Sequence, residues 1–538
     1  MLALEDTMFD LLIKNGLIID GTANPGFFGS VGIKDNTVSI VRSDAGQKAK
    51  KTIDASNRVI SPGFIDVHAH SALMILNDPD HLPKVHQGVT TELIGIDGNS
   101  YAPFTNLEDL KRMIQINSGL EGTPDLPGFW SSVPEYLDMY DRKVSVNIAY
   151  IVGNSPLRVG AMGWDQRAPT NKELDKQKGI LKESMDAGAF GMSTGLDYPP
   201  GSYADTDELI SLSKEVANMG GIYHTHVRFP LGDGYLDPNK EAIEIGRKSG
   251  VPVHITHLLP SDNKGKYKGA KPILDLVEDA REKEGLDVTF DCFPYSHGGT
   301  RLTYFLPQWT HDGGPEQIMK CLKDPEIRKK MRADIDVGFA RLGGGWDAVM
   351  ITYFKKPHNQ QFEGKTLTQA AEIMNTDPIE ALFDLLLDED LQVSFHAQGI
   401  DPETLPLFVQ HPLQMVGSDA LLLGDFPPAM AYGTFPVIIA KYVREEKRMS
   451  LPEAIRKMTS YPAQRLDIPD RGILRDGMRG DVVIFDFENI SAPATRYNPK
   501  QFSTGIDYVI VNGQVVVDHG KHTGVHPGRA LKRSQPGP

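Results

Sequence analysis

Histidine and aspartate residues stand near the ends of several hydrophobic segments of this chain, in a pattern that can bind divalent metal ions. His68 and His70 close the first of these segments, and His226 and His257 lie near the ends of two later ones. Residues two apart on a strand point to the same face, so both imidazoles of the first pair can chelate one ion. Imidazoles and carboxylates suit divalent metals, which activate water, so hydrolysis is the chemistry that this pattern indicates.

Eight hydrophobic segments supply the strands that would position these side chains. They are residues 64–70, 90–97, 146–154, 190–196, 221–228, 251–259, 288–295 and 414–420. In a closed parallel barrel the C-terminal strand ends share one rim. The metal-binding residues that would meet there are His68, His70, Asp97, His226, His257 and Asp419. The sequence therefore predicts an α/β fold, a (β/α)8 TIM-like barrel, with a metal site at its rim.

The two ends of the chain differ from its middle and predict a small β-sandwich domain built from both. Short β runs fill residues 9–59, and the segments GDVVIFD and YVIVNGQVVVD repeat that texture, the latter with an Asn-Gly turn signal. We expect residues 1–60 and 471–538 to form this domain and residues 61–470 to form the barrel. The long connection between the seventh and eighth strands predicts an insertion at about 309–390, which could act as a lid.

Composition limits the class of protein and its partners. Asp and Glu total 71 against 56 Lys and Arg, a net charge of −15, which argues against nucleic acid or an anionic membrane as a partner. The sequence has two cysteines, Cys292 and Cys321, no apolar run near the roughly 20 residues of a membrane span, and no signal-peptide pattern. We expect a cytoplasmic enzyme with a small-molecule substrate, of a size that commonly forms symmetric homo-oligomers.

The motif PGFIDVHAH and the segments after it resemble the amidohydrolase superfamily, and within it the D-aminoacylase (N-acyl-D-amino-acid deacylase) group. The matching stretches run through most of the chain in order and are QGVTTELIG, GMSTGLDYPPGSYA, GGIYHTHVR, GVPVHITH, VGSDA, YGTFPVIIAKYVRE and RGILRDGMRGDVVIFD. The resemblance implies that His68, His70 and Asp419 hold one metal ion. It implies that His226 and His257 hold a second ion or stabilise the reacting oxygen, and that Asp419 is also the general base. Such a carboxylate can take the proton of metal-bound water and deliver it to the leaving group.

One departure from this group concerns the metal ligands. Where the group has a metal-binding Cys in a Val-Gly-Asn-Cys-Gly segment, this chain has Gly95-Ile96-Asp97-Gly98. A carboxylate can bridge two cations as a thiolate can, but it is a harder ligand, so we expect one or two divalent ions, either zinc or manganese. The alternative is that Asp97 is only a turn residue and a single ion binds. On the fourth strand, where many relatives carry a carboxylated Lys, the chain has Ser193, as expected for the D-aminoacylase branch.

Two further departures concern the substrate. In deacylases of the family, a Lys just after the sixth-strand His and an Arg before the Gly-Thr-Phe-Pro segment bind the substrate's α-carboxylate, and here Leu259 and Met430 take those positions. A hydrogen bond to a charged group is worth about 1.5–3 kcal/mol, so their loss weakens carboxylate recognition at least a hundredfold. A small neutral or cyclic substrate is therefore expected, unless Arg228 or Arg301 replaces the missing cations.

Other polar side chains are candidates for the substrate pocket. Tyr198, in the Leu-Asp-Tyr-Pro-Pro segment, could donate a hydrogen bond to a substrate oxygen or could only pack. His224 is two residues from His226, so it could reach the pocket or orient a metal ligand. His297 adds a titratable group to the rim, whereas the odd spacing of His254 from His257 predicts that it faces the helices.

Three functions fit these residues. The first is hydrolysis of an amide C–N bond by metal-activated water, with Asp419 and His257 as catalytic residues. The second is opening of a cyclic 1,3-diketone by the same attack, with a resonance-stabilised enolate as leaving group, as in the related C–C hydrolase dihydrophloroglucinol cyclohydrolase. The third is a non-catalytic metal-binding homologue, although this chain retains every His and the late Asp of the pattern.

Overall fold

The computed structural model describes residues 8–42, 46–126, 128–259, 269–339 and 345–533, and begins with a group of short strands. These strands are β1 (Phe9–Ile18), β2 (Phe27–Lys34), β3 (Thr37–Val41), β4 (Ala49–Asp54) and β5 (Val59–Pro62). Asp35 and Asn36 join β2 to β3 with φ values of +48° and +67°. Asp and Asn tolerate this left-handed conformation, which a two-residue hairpin turn requires.

Parallel strands and helices alternate through the next part of the chain. The strands are β6 (Phe64–Asp66), β7 (Val89–Ile94), β8 (Asn147–Tyr150), β9 (Val152–Gly153), β10 (Gly191–Gly195), β11 (Ile222–His226), β12 (Val253–Ile255) and β13 (Val288–Cys292). The helices are α1 (Met74–Asn77), α2 (Leu82–Val85), α3 (Leu107–Ile116), α4 (Ser118–Glu121), α5 (Val133–Asp138), α6 (Asn154–Met162), α7 (Asn171–Asp186), α8 (Thr206–Asn218), α9 (Leu236–Ser249) and α10 (Lys271–Glu282). A capping box between Thr170 and Glu173 starts α7 and satisfies backbone N–H groups at its first turn.

The long connection after β13 contains a second, antiparallel sheet. Its elements are β14 (His297–Arg301), α11 (Pro315–Lys323), α12 (Pro325–Phe339), β15 (Val349–Phe354), α13 (Leu367–Met374), α14 (Pro378–Asp388), β16 (Val393–Gln398) and α15 (Leu405–Val409). The three strands pair in the order β14-β16-β15. This sheet extends beyond the expected insertion at 309–390 on both sides. Two adjacent glycines in β14, Gly298 and Gly299, give that segment a low strand propensity.

The last part of the chain adds one strand to the parallel strands and four strands to the group formed by the first residues. Its elements are β17 (Gln414–Val416), α16 (Met430–Val437), α17 (Leu451–Met458), α18 (Ser460–Arg465), β18 (Val482–Phe485), β19 (Ile506–Val511), β20 (Gln514–Asp518) and β21 (Lys521–His522). A π-helical segment, Ile438–Glu445, follows α16. Pro436 lies just before it, and a proline inside a helix removes a backbone hydrogen bond, so a change of helix type at this point is expected.

Strands from both ends of the chain form one nine-stranded sheet. Its order is β21-β20-β19-β18-β5-β1-β2-β3, with β4 also paired to β1. The antiparallel pair β5 and β18 joins the two ends, with Ser61 opposite Val483. Ile33, Ile60 and Ile484 belong to a buried apolar cluster contributed by both ends, so neither end completes this core alone.

The parallel strands form two sheets, in the orders β6-β7-β8 and β9-β10-β11-β12-β13-β17. Their order in space therefore follows their order in the chain, with helices between them, and the predicted α/β class is confirmed. Beyond the ends of β6 and β17, a parallel bridge pairs Ala69 with Ala420. The carboxyl ends of these strands carry the candidate site. Among the described residues, no helix is long and apolar enough to cross a membrane.

Candidate metal centre

Six side chains predicted to bind metal follow or end the parallel strands. His68 and His70 come after β6, Asp97 after β7, His226 ends β11, His257 comes after β12, and Asp419 after β17. Asp97, His257 and Asp419 have φ values of +53°, +31° and +50°. Such conformations cost roughly 1–3 kcal/mol per non-glycine residue and cluster at functional sites. The fold holds these three residues in positions that an ordinary strand end would not give them.

The first group of ligand atoms comes from His68, His70, Asp97 and Asp419, and these atoms lie within 4.8 Å of one another. His68 Nε2 lies 3.4 Å from Asp97 Oδ2 and 3.3 Å from Asp419 Oδ1. His70 Nε2 lies 3.6 Å from Asp97 Oδ2 and 3.3 Å from Asp419 Oδ1. Two carboxylates thus face two imidazole nitrogens, at separations suited to ligands that share one ion.

A second group consists of Asp97, His226 and His257. Asp97 Oδ2 lies 3.7 Å from His226 Nδ1 and 3.8 Å from His257 Nε2. The two imidazole nitrogens face each other at 2.8 Å. Oδ2 of Asp97 therefore contacts both groups, which is the position of a bridging ligand.

Electrostatics at this site favour positive charge. Burial opposes ionisation of Asp97, but His68, His226 and His257 outweigh it and hold the pKa of the Asp97 carboxyl well below its usual range. Burial also opposes protonation of His226, yet Asp197 and Asp97 raise its pKa to about 9. The positive charge that these carboxylates attract can be carried by protons or by divalent ions, which compete for the same imidazole nitrogens.

Buried atoms without partners support the same conclusion. Within the part of the chain that the structure describes, His68 Nε2, Asp97 Oδ1 and His226 Nε2 are buried and make no hydrogen bond. A buried polar atom left without a partner costs about 1–3 kcal/mol. Imidazole nitrogens and carboxylate oxygens are the donor set of zinc and related divalent ions. The residues present therefore fit such a metal.

Sequence reasoning missed Asp291, a buried carboxylate on β13. Its Oδ1 lies 3.3 Å from His68 Nδ1 and accepts the backbone N–H of His257 at 2.9 Å. Its Oδ2 lies 3.0 Å from Nε2 of His254, which lies beside this carboxylate instead of facing the helices. Asp291 orients the His68 ring so that Nε2 faces the metal group. The signal was present in the sequence, because Asp291 is a charged residue inside the apolar run Val288–Cys292.

A buried ionic network behind the metal group was also missed. Lys84 Nζ lies 2.5 Å from Asp66 Oδ2 and 3.2 Å from Glu92 Oε1, and donates to Ser418 Oγ at 2.7 Å. Asp66 Oδ1 accepts the backbone N–H groups of His68 at 3.1 Å and Ser418 at 2.9 Å. Asp66 therefore links the segment after β6 to the segment after β17. These two segments carry the metal-binding residues His68, His70 and Asp419.

Ser193 positions the loop that carries Asp97. Its Oγ donates to the carbonyl oxygen of Gly95 at 2.5 Å and accepts the N–H of Gly98 at 3.1 Å. Gly95 has a φ of +84°, and a Cβ at this residue would lie 2.1 Å from the carbonyl oxygen of Ile151, so glycine is required. Ser193, on β10, thus supports the ligand Asp97 rather than binding metal itself.

A cavity of about 680 Å³ lies against the metal group. The predicted site residues that line it are His70, Asp97, His226, His257, Asp419, Tyr198, Leu259 and Arg301. The Tyr198 ring lies 4.9 Å from the His226 ring, and its hydroxyl donates to Thr300 Oγ1 at 3.2 Å. Thr300 belongs to β14, so the antiparallel sheet forms one wall of the cavity.

Four residues predicted to contact substrate do not line this cavity. His224 is buried with Nε2 3.2 Å from the Val67 carbonyl oxygen, and its ring stacks on His254 at 4.8 Å. This is the supporting position that the sequence left open as an alternative. Arg228 lies 3.1 Å from Glu241 and donates to two backbone carbonyl groups, so its cation already has partners.

The other two, His297 and Met430, are also absent from the cavity wall. The His297 ring lies 5.0 Å from the His396 ring, within the antiparallel sheet. Met430 is fully buried in an apolar cluster with Phe293 and Ala420. Leu259, by contrast, lines the cavity as expected. Leu259 also packs against the cluster that contains Met430, so of these two neighbouring positions Leu259 forms part of the cavity wall and Met430 lies behind it.

Comparison with known proteins identifies the family. The model of the amidohydrolase family matches residues 51–264 and 330–517, which is most of the chain. This chain belongs to the amidohydrolase family. A D-aminoacylase of Alcaligenes xylosoxydans xylosoxydans is 31% identical to this amidohydrolase over 530 residues, covering 98% of each chain. An N-acyl-D-aspartate deacylase of the same organism is 31% identical over 534 residues, covering 97% of this chain and 95% of the relative.

Solved structures similar in fold to this amidohydrolase include members of the same enzyme group as its sequence relatives. N-acyl-D-glutamate deacylase of Bordetella bronchiseptica, in complex with zinc and a phosphonate inhibitor, superposes with a TM-score of 0.82 at 29% identity, covering 98% of this chain and 100% of that one. A D-aminoacylase structure superposes with a TM-score of 0.80 at 28% identity, with the same coverage. The prediction of a metal-dependent hydrolase is confirmed. These relatives favour amide hydrolysis over the ring-opening and non-catalytic alternatives.

Proposed function

We propose that this amidohydrolase cleaves the amide bond of a small N-acyl compound with water activated by one or two divalent ions, zinc or manganese. The observation that carries the proposal is the position of Asp97 Oδ2, in reach of both His70 at 3.6 Å and His226 at 3.7 Å. The similarity to a D-aminoacylase with a binuclear metal centre supports it. Both ligand groups lie on the wall of one cavity, so the activated water and the substrate share a space.

Each side chain has a role in this proposal. His68, His70, Asp97 and Asp419 would hold one ion, and Asp97, His226 and His257 a second. A divalent ion held by these residues would lower the pKa of water from 15.7 to about 7 and polarise a carbonyl oxygen. Burial opposes the charge of Asp419, but His68 and His70 lower the pKa of its carboxyl, so it is ionised and can accept the water's proton.

Proton transfer then continues from Asp419 to the leaving nitrogen. Asp419 lines the cavity, so the same carboxyl group can reach both the attacking water and the scissile bond. His257 also lines the cavity, where it either binds the ion or donates a hydrogen bond to the reacting oxygen. Both catalytic roles follow from side chains that the fold places beside one another.

We further propose that the two parallel sheets form one closed barrel. The bridge between Ala69 and Ala420 supports closure on one side, and the direct passage of β8 into β9 supports it on the other. In this arrangement residues 61–470 form the barrel, and residues 1–60 and 471–538 form the β-sandwich domain. The metal ligands that follow or end β6, β7, β11, β12 and β17 then meet at one rim of the barrel.

Product analysis tests the proposed reaction. The metal-loaded full chain is offered N-acetyl-D-methionine and dihydrophloroglucinol in parallel, and products are identified by mass spectrometry. Release of the free amine, lost after metal chelation and restored by zinc or manganese, is the expected result. A water adduct of the ring compound together with no amine release from the amide would contradict amide hydrolysis.

A further inference from the structure

Arg301 is a buried cation without a carboxylate partner. It ends β14, and 1% of its surface is exposed. Its Nη1 donates to Asn117 Oδ1, and its Cζ lies 4.5 Å from the centre of the Tyr198 ring. Among the described residues, no carboxylate oxygen lies within 4.0 Å of its guanidinium. Burying an unpaired charge costs free energy, so we expect the buried Arg301 guanidinium to have a functional role.

Arg301 belongs to the wall of the catalytic cavity. Arg301 lines that cavity, and of the described residues that do so it is the one Arg or Lys. The Tyr198 ring lies 4.5 Å from the guanidinium carbon and 4.9 Å from the His226 ring. Arg301 and the metal ligand His226 are therefore neighbours of the same aromatic ring in the wall of this cavity.

Arg301 differs in this respect from the other candidate cation, Arg228. Glu241 neutralises Arg228 at 3.1 Å, whereas Arg301 has an amide oxygen and an aromatic ring as neighbours, which leave its charge uncompensated. Burial lowers the pKa of Arg301 to about 10, so the side chain stays cationic at neutral pH. A guanidinium presents N–H donors in a fixed fork that matches a carboxylate, and the bond to Asn117 fixes the orientation of this fork.

We infer that Arg301 binds a carboxylate of the substrate, three bonds from the scissile carbonyl carbon. The inference rests on the proposed amide hydrolysis, which places the carbonyl group beside the metal ligands. It makes Arg301 the residue that selects for this carboxylate. The carboxylate is bound from β14 by a cation that neither Leu259 nor Met430 can supply.

Two ketones separate binding from hydrolysis. In 4-oxopentanoate a CH₂ group replaces the amide nitrogen of N-acetylglycine, and 5-methylhexan-2-one carries a neutral isopropyl group in place of the carboxylate. Both are titrated into the metal-loaded full chain, and into its Arg301→Gln and Arg301→Lys variants, with binding followed by NMR. We expect the natural protein to bind the carboxylate at least about tenfold more tightly than the neutral ketone.

The variants decide the role of Arg301. Arg301→Gln should lose this preference and keep its affinity for 5-methylhexan-2-one, which also shows that its cavity is intact. Arg301→Lys should lose at least about threefold of the preference, because an ammonium group cannot form the fork, and it serves alone if the Gln variant does not fold. Equal affinity of the natural protein for both ketones, or an unchanged preference in either folded variant, would overturn the inference.

Hydrolysis of N-acetyl-D-methionine by the same proteins separates the two proposals. If Arg301 governs carboxylate binding but no amide is cleaved, amide hydrolysis fails and the anion site stands. If the natural protein cleaves the amide and Arg301→Gln has an unchanged kcat/KM, the anion site fails and amide hydrolysis stands.

Discussion

Asp419 donates its backbone N–H to the carbonyl oxygen of His68 at 2.9 Å, while its Oδ1 lies 3.3 Å from His68 Nε2. The same two residues are thus joined through backbone and through side chain. The backbone hydrogen bond fixes the separation of the two chain segments. The Asp419 carboxylate is therefore held beside the His68 ring nitrogen with little freedom to move. Catalysis depends on such positioning, since small displacements of reacting groups cost large factors in rate.

Asp419→Asn should abolish most of the turnover and leave the fold intact. The amide keeps the size of the side chain but cannot accept the water's proton, so kcat should fall at least about a hundredfold. Amine release and metal content per chain are measured on the same preparation. Full activity in this variant would exclude Asp419 as the general base.

Asp97→Ala should lower the number of metal ions per chain, because Oδ2 of Asp97 contacts both ligand groups. Plasma mass spectrometry of protein purified in excess zinc or manganese measures this number. Asp97→Cys is the matched control, since a thiolate can also bridge two ions and should retain the metal count with a shift toward zinc. An unchanged count in the alanine variant would remove Asp97 from the site.

Lys84→Met should destabilise the fold strongly. The substitution leaves Asp66 and Glu92 as buried carboxylates without their ammonium partner, at a cost of about 3–5 kcal/mol. Lys271, whose ion pair with Asp275 is exposed, provides the control, and Lys271→Met should leave the free energy of unfolding nearly unchanged. Urea unfolding measures both. Equal effects would show that the buried network contributes no special stability.

Glu121→Gln should stabilise the protein at alkaline pH. Burial raises the pKa of Glu121 to about 7, while its Oε2 accepts the N–H of Leu73 at 2.9 Å. A raised folded-state pKa gives stability that is complete below the unfolded value near 4.3 and is lost as the pH rises through about 7. The glutamine stays neutral, so its advantage should appear at pH 8.5, on the order of 1–3 kcal/mol, and shrink at pH 5. Thermal unfolding at both values tests this, and a difference independent of pH would contradict it.

The parallel strands and the residues at their ends were predictable because they are local features of the sequence. A hydrophobic segment that ends in His or Asp, such as the one before His68, indicates both the strand and its chemistry. The antiparallel strand β14 was not predictable in this way, since Gly298 and Gly299 lack the side chains that mark a strand. Its pairing with β16 depends on residues nearly a hundred positions later.

Side-chain directions near the site were less predictable than the strands. Residues two apart on a strand point to the same face, which predicted that His224 lies on the same side as His226. His224 packs against His254, behind the metal group. Met430 was expected to face the substrate by analogy, and an apolar cluster holds it instead. These outcomes depend on tertiary packing, as does the role of Asp291, which orients His68 from a different strand.

The pairing of β5 with β18 has a consequence for how this protein is made. Val59–Pro62 leave the ribosome more than four hundred residues before Val482–Phe485, the strand they pair with. At typical translation speeds this gap lasts roughly 20–80 s, during which the first five strands have an unpaired edge and an incomplete core. The synthesis of the last four strands, β18 to β21, therefore sets the earliest moment at which the nine-stranded sheet can close.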